Sequence, residues 1–248
     1  MNNKIDEIIK YNKSQVNNKG EINEWDEFIF PLIIRRKLVR LIKDEVEKRN
    51  PNLILDYGCG GGWISVLLSD IGYPTIGMDI SVQQLNKAKI ACKNGNFFAC
   101  DAEFLPIRSE AVEFTIGISI LYHLKVSKCL DEIERVSKKN SYFLFEEPNV
   151  LNPFSAFGRK LFPMDTHTIG EKPFFYPYFI QYFKHKTIFS VHFFYFLAFP
   201  LSRFLKLFKI KLSRRFIIFY YYLETLSERI FPFNKINASI ILVGQFLK

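Results

Sequence analysis

The stretch Leu53-Ile54-Leu55-Asp56-Tyr57-Gly58-Cys59-Gly60-Gly61-Gly62-Trp63 decides how this chain folds. Its three leading apolar residues read as a buried parallel strand, and the glycine cluster after them reads as a tight turn. Trp63 to Ser69 then reads as a helix. A strand feeding a glycine-rich turn into a helix places backbone N–H groups against a ligand at the switch point of an open sheet. Side chains would block that approach, so glycine is required. A dinucleotide fingerprint needs G-x-G-x-x-G. Gly58 and Gly60 fit it, but the third position is Trp63, and the pattern is G-x-G-x-G preceded by Asp56. The Gly-Lys-Ser/Thr ending of a triphosphate-binding loop is absent.

Working outward, Phe30 to Arg49 reads as a helix stopped by Asn50-Pro51. Downstream, Thr75 to Met78 is a second strand, and Ser81 with Gln84 forms a capping-box pattern opening a helix to about Lys93. Asn96 to Cys100, Glu113 to Ser119 and Ser141 to Glu146 are further strands, with a helix over Val126 to Lys138. Strands alternating with helices mean an α/β fold with a doubly wound, mostly parallel sheet. After Glu147 the pattern becomes irregular: prolines at 148, 153, 163, 173 and 177 work against a long helix before about residue 178. Ser190 to Leu197 and Ser239 to Val243 read as two late strands. Between them lie an amphipathic helix (Leu201 to Leu212) and a second helix (Arg214 to Arg229).

Composition narrows the class. Of 248 residues 48% are hydrophobic, enough for one sizeable core, while 24% charged residues and a near-neutral hydropathy exclude a disordered chain. Cys59, Cys92, Cys100 and Cys129 contain no C-x-x-C pair, which argues against a disulfide scaffold and a zinc site, and no metal is expected. The polar start MNNKIDEIIK lacks the apolar run of a secretory signal. Ile188 to Leu201, the longest apolar stretch, has 14 residues, short of the ~20 needed to span a bilayer. A reduced, cytoplasmic protein is expected. Its +9 charge is uneven: residues 153–233 hold twelve Lys/Arg against four Asp/Glu, and 25 of the 41 aromatics. A shift this large marks a change of role near residue 150.

Ligand contacts can be placed by spacing. Asp79 ends the second strand in G-M-D-I-S, where a carboxylate can accept from both hydroxyls of a ribose. Asp101 follows the third strand in D-A-E-F-L-P-I, where it can take an adenine amino proton. A lone loop carboxylate is commonly just solvated or a helix cap. Three of them at successive strand ends beside one glycine loop favour a site.

The segments L-D-Y-G-C-G-G-G, G-M-D-I-S, D-A-E-F-L-P-I and I-S-I-L-Y-H-L, in that order, resemble class I S-adenosylmethionine-dependent methyltransferases, in particular the branch with the quinone-biosynthesis and many small-molecule enzymes. The resemblance covers roughly residues 50 to 147. It implies a Rossmann-like sheet of seven strands with the last antiparallel, completed by the two late strands, and S-adenosyl-L-methionine as cofactor. Gly58, Gly60 and Gly62 would shape the loop around that cofactor, with Asp56 organising it near the amino-acid end. Asp79 and Ile80 would hold the ribose, Asp101 and Ala102 the adenine, and Ser119 would border the methionine moiety. Glu113 stands where many relatives have Asp. The chain then divides into an N-terminal helical cap (1–50), the cofactor-binding core (51–150), and a substrate-cover segment with a basic aromatic insertion (151–248) that ends in the final two strands of the same domain.

Methyl transfer needs alignment and exclusion of water, and needs a base only if the acceptor must lose a proton. His123, after the fourth strand, is the candidate base or orienting group, with packing beside the cofactor as the bland alternative. Glu146 and Glu147 are adjacent on a strand end and face opposite ways. Glu147 is the one expected toward the pocket. In the polar run Asp165 to Pro173, His167 and Glu171 are candidate substrate contacts, against a plain surface loop. Tyr11 and Trp25 are candidates to pack over the cofactor. His185 and His192 show no ligand geometry.

Three readings of the basic, aromatic segment compete. It covers a small-molecule or lipid-like acceptor; or, through Leu201 to Leu212, it lies on an anionic membrane surface; or it grips RNA. Nucleic acid is disfavoured because the strand-four exit, Ile118 to His123, lacks the Asp/Asn-Pro-Pro-aromatic motif of many base methyltransferases. A basic solvated face around an ordinary core remains the plain alternative. The expected function is S-adenosylmethionine-dependent methyl transfer to a small or lipid-like acceptor. An RNA methyltransferase, a non-catalytic cofactor-binding regulator and an NAD-dependent oxidoreductase stand as alternatives.

Overall fold

The computed structural model describes residues 35–153, 173–195, 219, 222–226 and 234–248. Within them the glycine stretch folds as its sequence dictates. β1 (Ile54–Tyr57) leads through the turn into α2 (Trp63–Ser69), and α1 (Arg36–Arg49) precedes it. Asn50 ends α1 in a left-handed conformation (φ 46°), its N–H donating to the Val46 carbonyl at 2.8 Å, and Pro51 prevents continuation. β2 (Thr75–Asp79) is followed by α3 (Val82–Ala91), whose N-cap Ser81 accepts the Gln84 N–H at 3.4 Å. β3 (Asn96–Ala99), β4 (Val112–Ile118), α4 (Val126–Val136) and β5 (Ser137–Pro148) complete the first half. The short α5 (Tyr176–Phe179), then β6 (Thr187–Phe194) and β7 (Ser239–Phe246), follow.

The seven strands form one sheet in the order β3-β2-β1-β4-β5-β7-β6. β1 to β5 are parallel neighbours, and β7 runs antiparallel to both β5 and β6. Strand alternation sends residues to two cores, one on each face. Leu55, Tyr57, Phe143, Phe145, Ile240 and Leu242 face α4, whose Cys129, Leu130, Ile133 and Val136 recur on one helical stripe. Ile54, Leu144 and Ile241 face the other way, onto Leu38, Ile42, Ile64 and Leu68 of α1 and α2. Val112 joins the first core but Phe114 and Ile116 the second, because the β4–β5 register shifts between Val112 and Phe114.

β5 is longer than the expected Ser141 to Glu146. Its added start, Ser137-Lys138-Lys139-Asn140, takes in the last two residues of the helix expected over Val126 to Lys138, which ends at Val136 instead, and pairs through Ser137 with Val112. Glu113 accepts the Asn52 N–H at 2.7 Å and pairs with Lys138 at 2.6 Å, so it ties the strand's start to neighbouring elements. Residues 222–226 are helical, inside the span expected for the second late helix. The helix expected at 201–212, and Tyr11, Trp25, His167 and Glu171, lie outside the described residues. Among the described residues no helix is long and apolar enough to cross a membrane.

Candidate cofactor and acceptor site

β1 and β4 are neighbours where the strand order reverses, so the loops leaving their C-terminal ends diverge and open a crevice. The glycine loop forms one wall. Gly58, Gly60 and Gly62 all have positive φ (72°, 51° and 81°), a region closed to most side chains. Two of them are also packed tight. A Cβ on Gly58 would stand 2.6 Å from Ile120 Cγ1, and one on Gly62 would stand 2.8 Å from Ala88 Cβ. Gly60 differs, for a Cβ there would meet nothing within 4 Å. The loop is clamped from behind at 58 and 62 and opens onto space at 60.

Asp79, at the end of β2, ties itself to this loop. Its Oδ2 accepts the Gly60 N–H at 2.9 Å and its Oδ1 the Ser81 N–H at 2.8 Å. Burial raises its pKa; the Ser81, Gly60 and Ile80 N–H groups and the charge of His123 pull the other way. His123 is exposed at the rim, yet close enough for its charge to act on Asp79, and its ring stacks on Tyr122 at 3.9 Å. Asp56 lies beneath the loop. Its Oδ2 accepts both the Ser65 N–H (3.1 Å) and the Ser65 hydroxyl (2.7 Å), pinning the strand end to the first turn of α2. Burial pushes Asp56 up to about 7, the Ser65 bonds opposing and the Asp79 charge adding.

The β3 exit supplies a second wall. Asp101 accepts the Glu103 N–H at 2.9 Å, shaping a turn that carries the buried Ala102. The Ala102 carbonyl accepts the Tyr57 hydroxyl at 2.7 Å, so β1 reaches across the sheet to fix this turn. On the β4 side, Ser119 sits at φ 54°, unusual for a residue with a side chain. Its N–H donates to the Glu146 carbonyl at 2.6 Å and its hydroxyl to Glu146 Oε2 at 3.0 Å. Ser239 donates to Glu146 as well.

Residues 55–145 match the family described as methyltransferase domain. Among relatives, an uncharacterized protein of Methanocaldococcus jannaschii, MJ1252, is 29% identical over 124 residues, covering 48% of this chain and 47% of that protein. The uncharacterized methyltransferase YodH of Bacillus subtilis is 29% identical over 111 residues, with 43% and 48% covered. The chain thus spans about half the length of these relatives. Of solved structures, a SAM-dependent methyltransferase of Thermotoga maritima, described as a possible histamine N-methyltransferase, superposes with TM-score 0.64 at 14% identity, covering 94% of this chain and 97% of that one. One from Archaeoglobus fulgidus gives TM-score 0.55 at 19% identity, with 88% and 98% covered. These likenesses establish the fold.

The likeness to methyltransferase domains implies S-adenosyl-L-methionine as the cofactor, and the residues present fit it. The open space at Gly60 gives the loop room for a ligand. Asp79 spends three backbone contacts of the about four lone-pair positions a carboxylate offers, which leaves acceptor capacity for one ribose hydroxyl.

The structure gathers Asp56, Gly58, Gly60, Gly62, Asp79, Ile80, Asp101, Ala102, Ser119 and His123 along one edge of the sheet. Glu147 departs from its expected place. It is fully buried, and its carboxylate turns to the backbone N–H groups of Ile120, Leu121 and Tyr122 rather than toward an acceptor. Glu146 is buried too, so strand alternation separates the pair but exposes neither. Tyr57, Ile120 and Glu146 went unassigned in the sequence. Only Tyr57 carried a hint: a tyrosine in a strand buried along its whole length must find a partner for its hydroxyl.

Proposed function

We propose that this chain is an S-adenosylmethionine-dependent methyltransferase acting on a small-molecule or lipid-like acceptor. The observation that carries the reading is the Asp79–Gly60 hydrogen bond, which joins the ribose-binding carboxylate and the glycine loop into one wall open at Gly60. When bound, S-adenosylmethionine would supply a methyl carbon on a cationic sulfur, open to attack by an acceptor lone pair with the neutral thioether of S-adenosylhomocysteine as the leaving group.

The chain's own residues do the holding. Asp79 and Ile80 would grip the ribose, the turn at Asp101-Ala102 would face the adenine, and Ser119 would border the methionine end. Asp56 keeps the loop in place from below through Ser65. His123, exposed on the rim and in electrostatic reach of Asp79, is the group placed to orient an acceptor or take its proton. The aromatic content of residues 153–233, with Tyr176 edge-on to Phe193 and Phe174 stacked on Phe179, supports an apolar acceptor. His167 and Glu171 belong to this proposal as acceptor contacts. So do a cytoplasmic placement and a membrane contact through Arg203, Lys206 and Lys209.

Titration calorimetry with S-adenosylmethionine and S-adenosylhomocysteine tests the cofactor; transfer of a labelled methyl group across carboxylic, phenolic, amine, lipid and RNA acceptors tests the rest. Binding with transfer to small or lipid-like acceptors is expected. Transfer to RNA alone, or binding without any transfer, would replace this reading by an RNA enzyme or a regulator. Sedimentation with anionic vesicles, lost on replacing the three basic residues, is the expected sign of membrane contact.

A further inference from the structure

Among the described residues, Glu147 is a fully buried carboxylate for which methyl transfer supplies no role. Its Oε1 accepts the N–H groups of Ile120 at 3.0 Å and Leu121 at 2.7 Å, and its Oε2 that of Tyr122 at 3.3 Å. These three donors stand at the head of the single 3-10 turn Leu121–His123, which has no preceding helical turn to accept from them. A carboxylate is suited to several converging N–H groups because it offers acceptor positions only.

The turn in turn touches the cofactor loop. Ile120 Cγ1 lies 2.6 Å from the place a Cβ on Gly58 would occupy, so the isoleucine fills the room that glycine leaves. The same turn carries His123 to the rim. On the other side of β5, Glu146 takes the Ser119 hydroxyl. The carboxylate doublet therefore grips the β4 exit from both faces of the strand.

We infer that Glu147 is a positioning residue, which fixes the backbone of residues 120–122 and, through Ile120 against Gly58, sets the glycine loop for the cofactor. This rests on reading that loop as an S-adenosylmethionine site. Glu147 touches no reacting atom in this scheme and acts through two neighbours.

The test uses the full chain as wild type, Glu147→Gln, Ile120→Ala and the double variant, with S-adenosylmethionine and S-adenosylhomocysteine as probes in titration calorimetry. Glutamine offers one acceptor oxygen and presents an NH2 to the remaining donors. Glu147→Gln is expected to weaken both ligands about tenfold, the difference between charge-assisted and neutral hydrogen bonds. Ile120→Ala, which leaves the carboxylate untouched, is expected to weaken them similarly and covers the case in which Glu147→Gln fails to fold. A relay makes the two losses non-additive, the double variant being little worse than either single one. The amide proton resonances of residues 120–122 are expected to move upfield in Glu147→Gln. Unchanged affinities at room temperature with only a lowered Tm, or losses that simply add, would overturn the inference. Failure of the wild-type protein to bind either ligand would instead remove the cofactor reading beneath it.

Discussion

A buried carboxylate is costly unless hydrogen bonds compensate it, and Asp56, Asp79, Glu146 and Glu147 are all buried at this site. Asp56 shows the consequence for stability. Its folded-state pKa of about 7 stands above the ordinary 3.8, so between those values the folded protein holds a proton that the unfolded chain releases. The unfolded state binds fewer protons there, and stability falls as pH rises through this window. Asp79, also raised by burial, acts in the same direction. Urea midpoints at pH 5 and pH 8 are expected to show this fall in the wild-type protein and a smaller one in Asp56→Asn. At the same scale, Asp79→Ala removes the partner of the Gly60 and Ser81 N–H groups along with the proposed ribose contact. Its affinity for S-adenosylmethionine is expected to drop by at least about tenfold in calorimetry, each charge-assisted bond being worth about 1.5–3 kcal/mol. The carboxylate at 79 was legible because it ends a strand beside glycines; the fate of Glu147 was not, because strand alternation says only that neighbours diverge.

Elements respond where they meet. Tyr57 belongs to β1 but its hydroxyl holds the Ala102 carbonyl after β3. Tyr57→Phe is expected to lower stability by about 1–3 kcal/mol in chemical denaturation, since the carbonyl loses a buried donor. β7 is more demanding. A Cβ on Gly244 would meet the Ile188 carbonyl at 2.5 Å and the Phe143 ring at 2.6 Å, backbone on one side and core on the other. Gly244→Val is expected to cost several kcal/mol or to prevent folding, seen as loss of cooperative thermal unfolding. The strand itself was readable from its apolar run. That its glycine is the point where β6, β7 and the Phe143 core converge depends on partners about 56 and 101 residues away in sequence.

At the scale of the molecule, cofactor and fold are linked. A ligand that binds only the folded state at a hundred times its Kd adds about 2.7 kcal/mol. S-adenosylmethionine at that excess is expected to raise the wild-type Tm by several degrees and that of Asp79→Ala by no more than about half as much at the same concentration. The linkage is mechanical here: the glycine loop touches β2 through Asp79, α3 through Ala88 and the β4 exit through Ile120.

Taken alone, the sequence determined the alternation of strands and helices, the α2 boundaries, the glycine loop and the acidic strand ends. Each of these is written in local chemistry, as apolar runs, positive-φ turns and caps that need no distant partner. Only the tertiary structure decided that β5 begins at Ser137, that Tyr57 serves the β3 turn, and that Glu147 faces three backbone donors instead of an acceptor. Those outcomes depend on which strands become neighbours and in what register, and a side chain's direction is fixed only when its neighbours arrive.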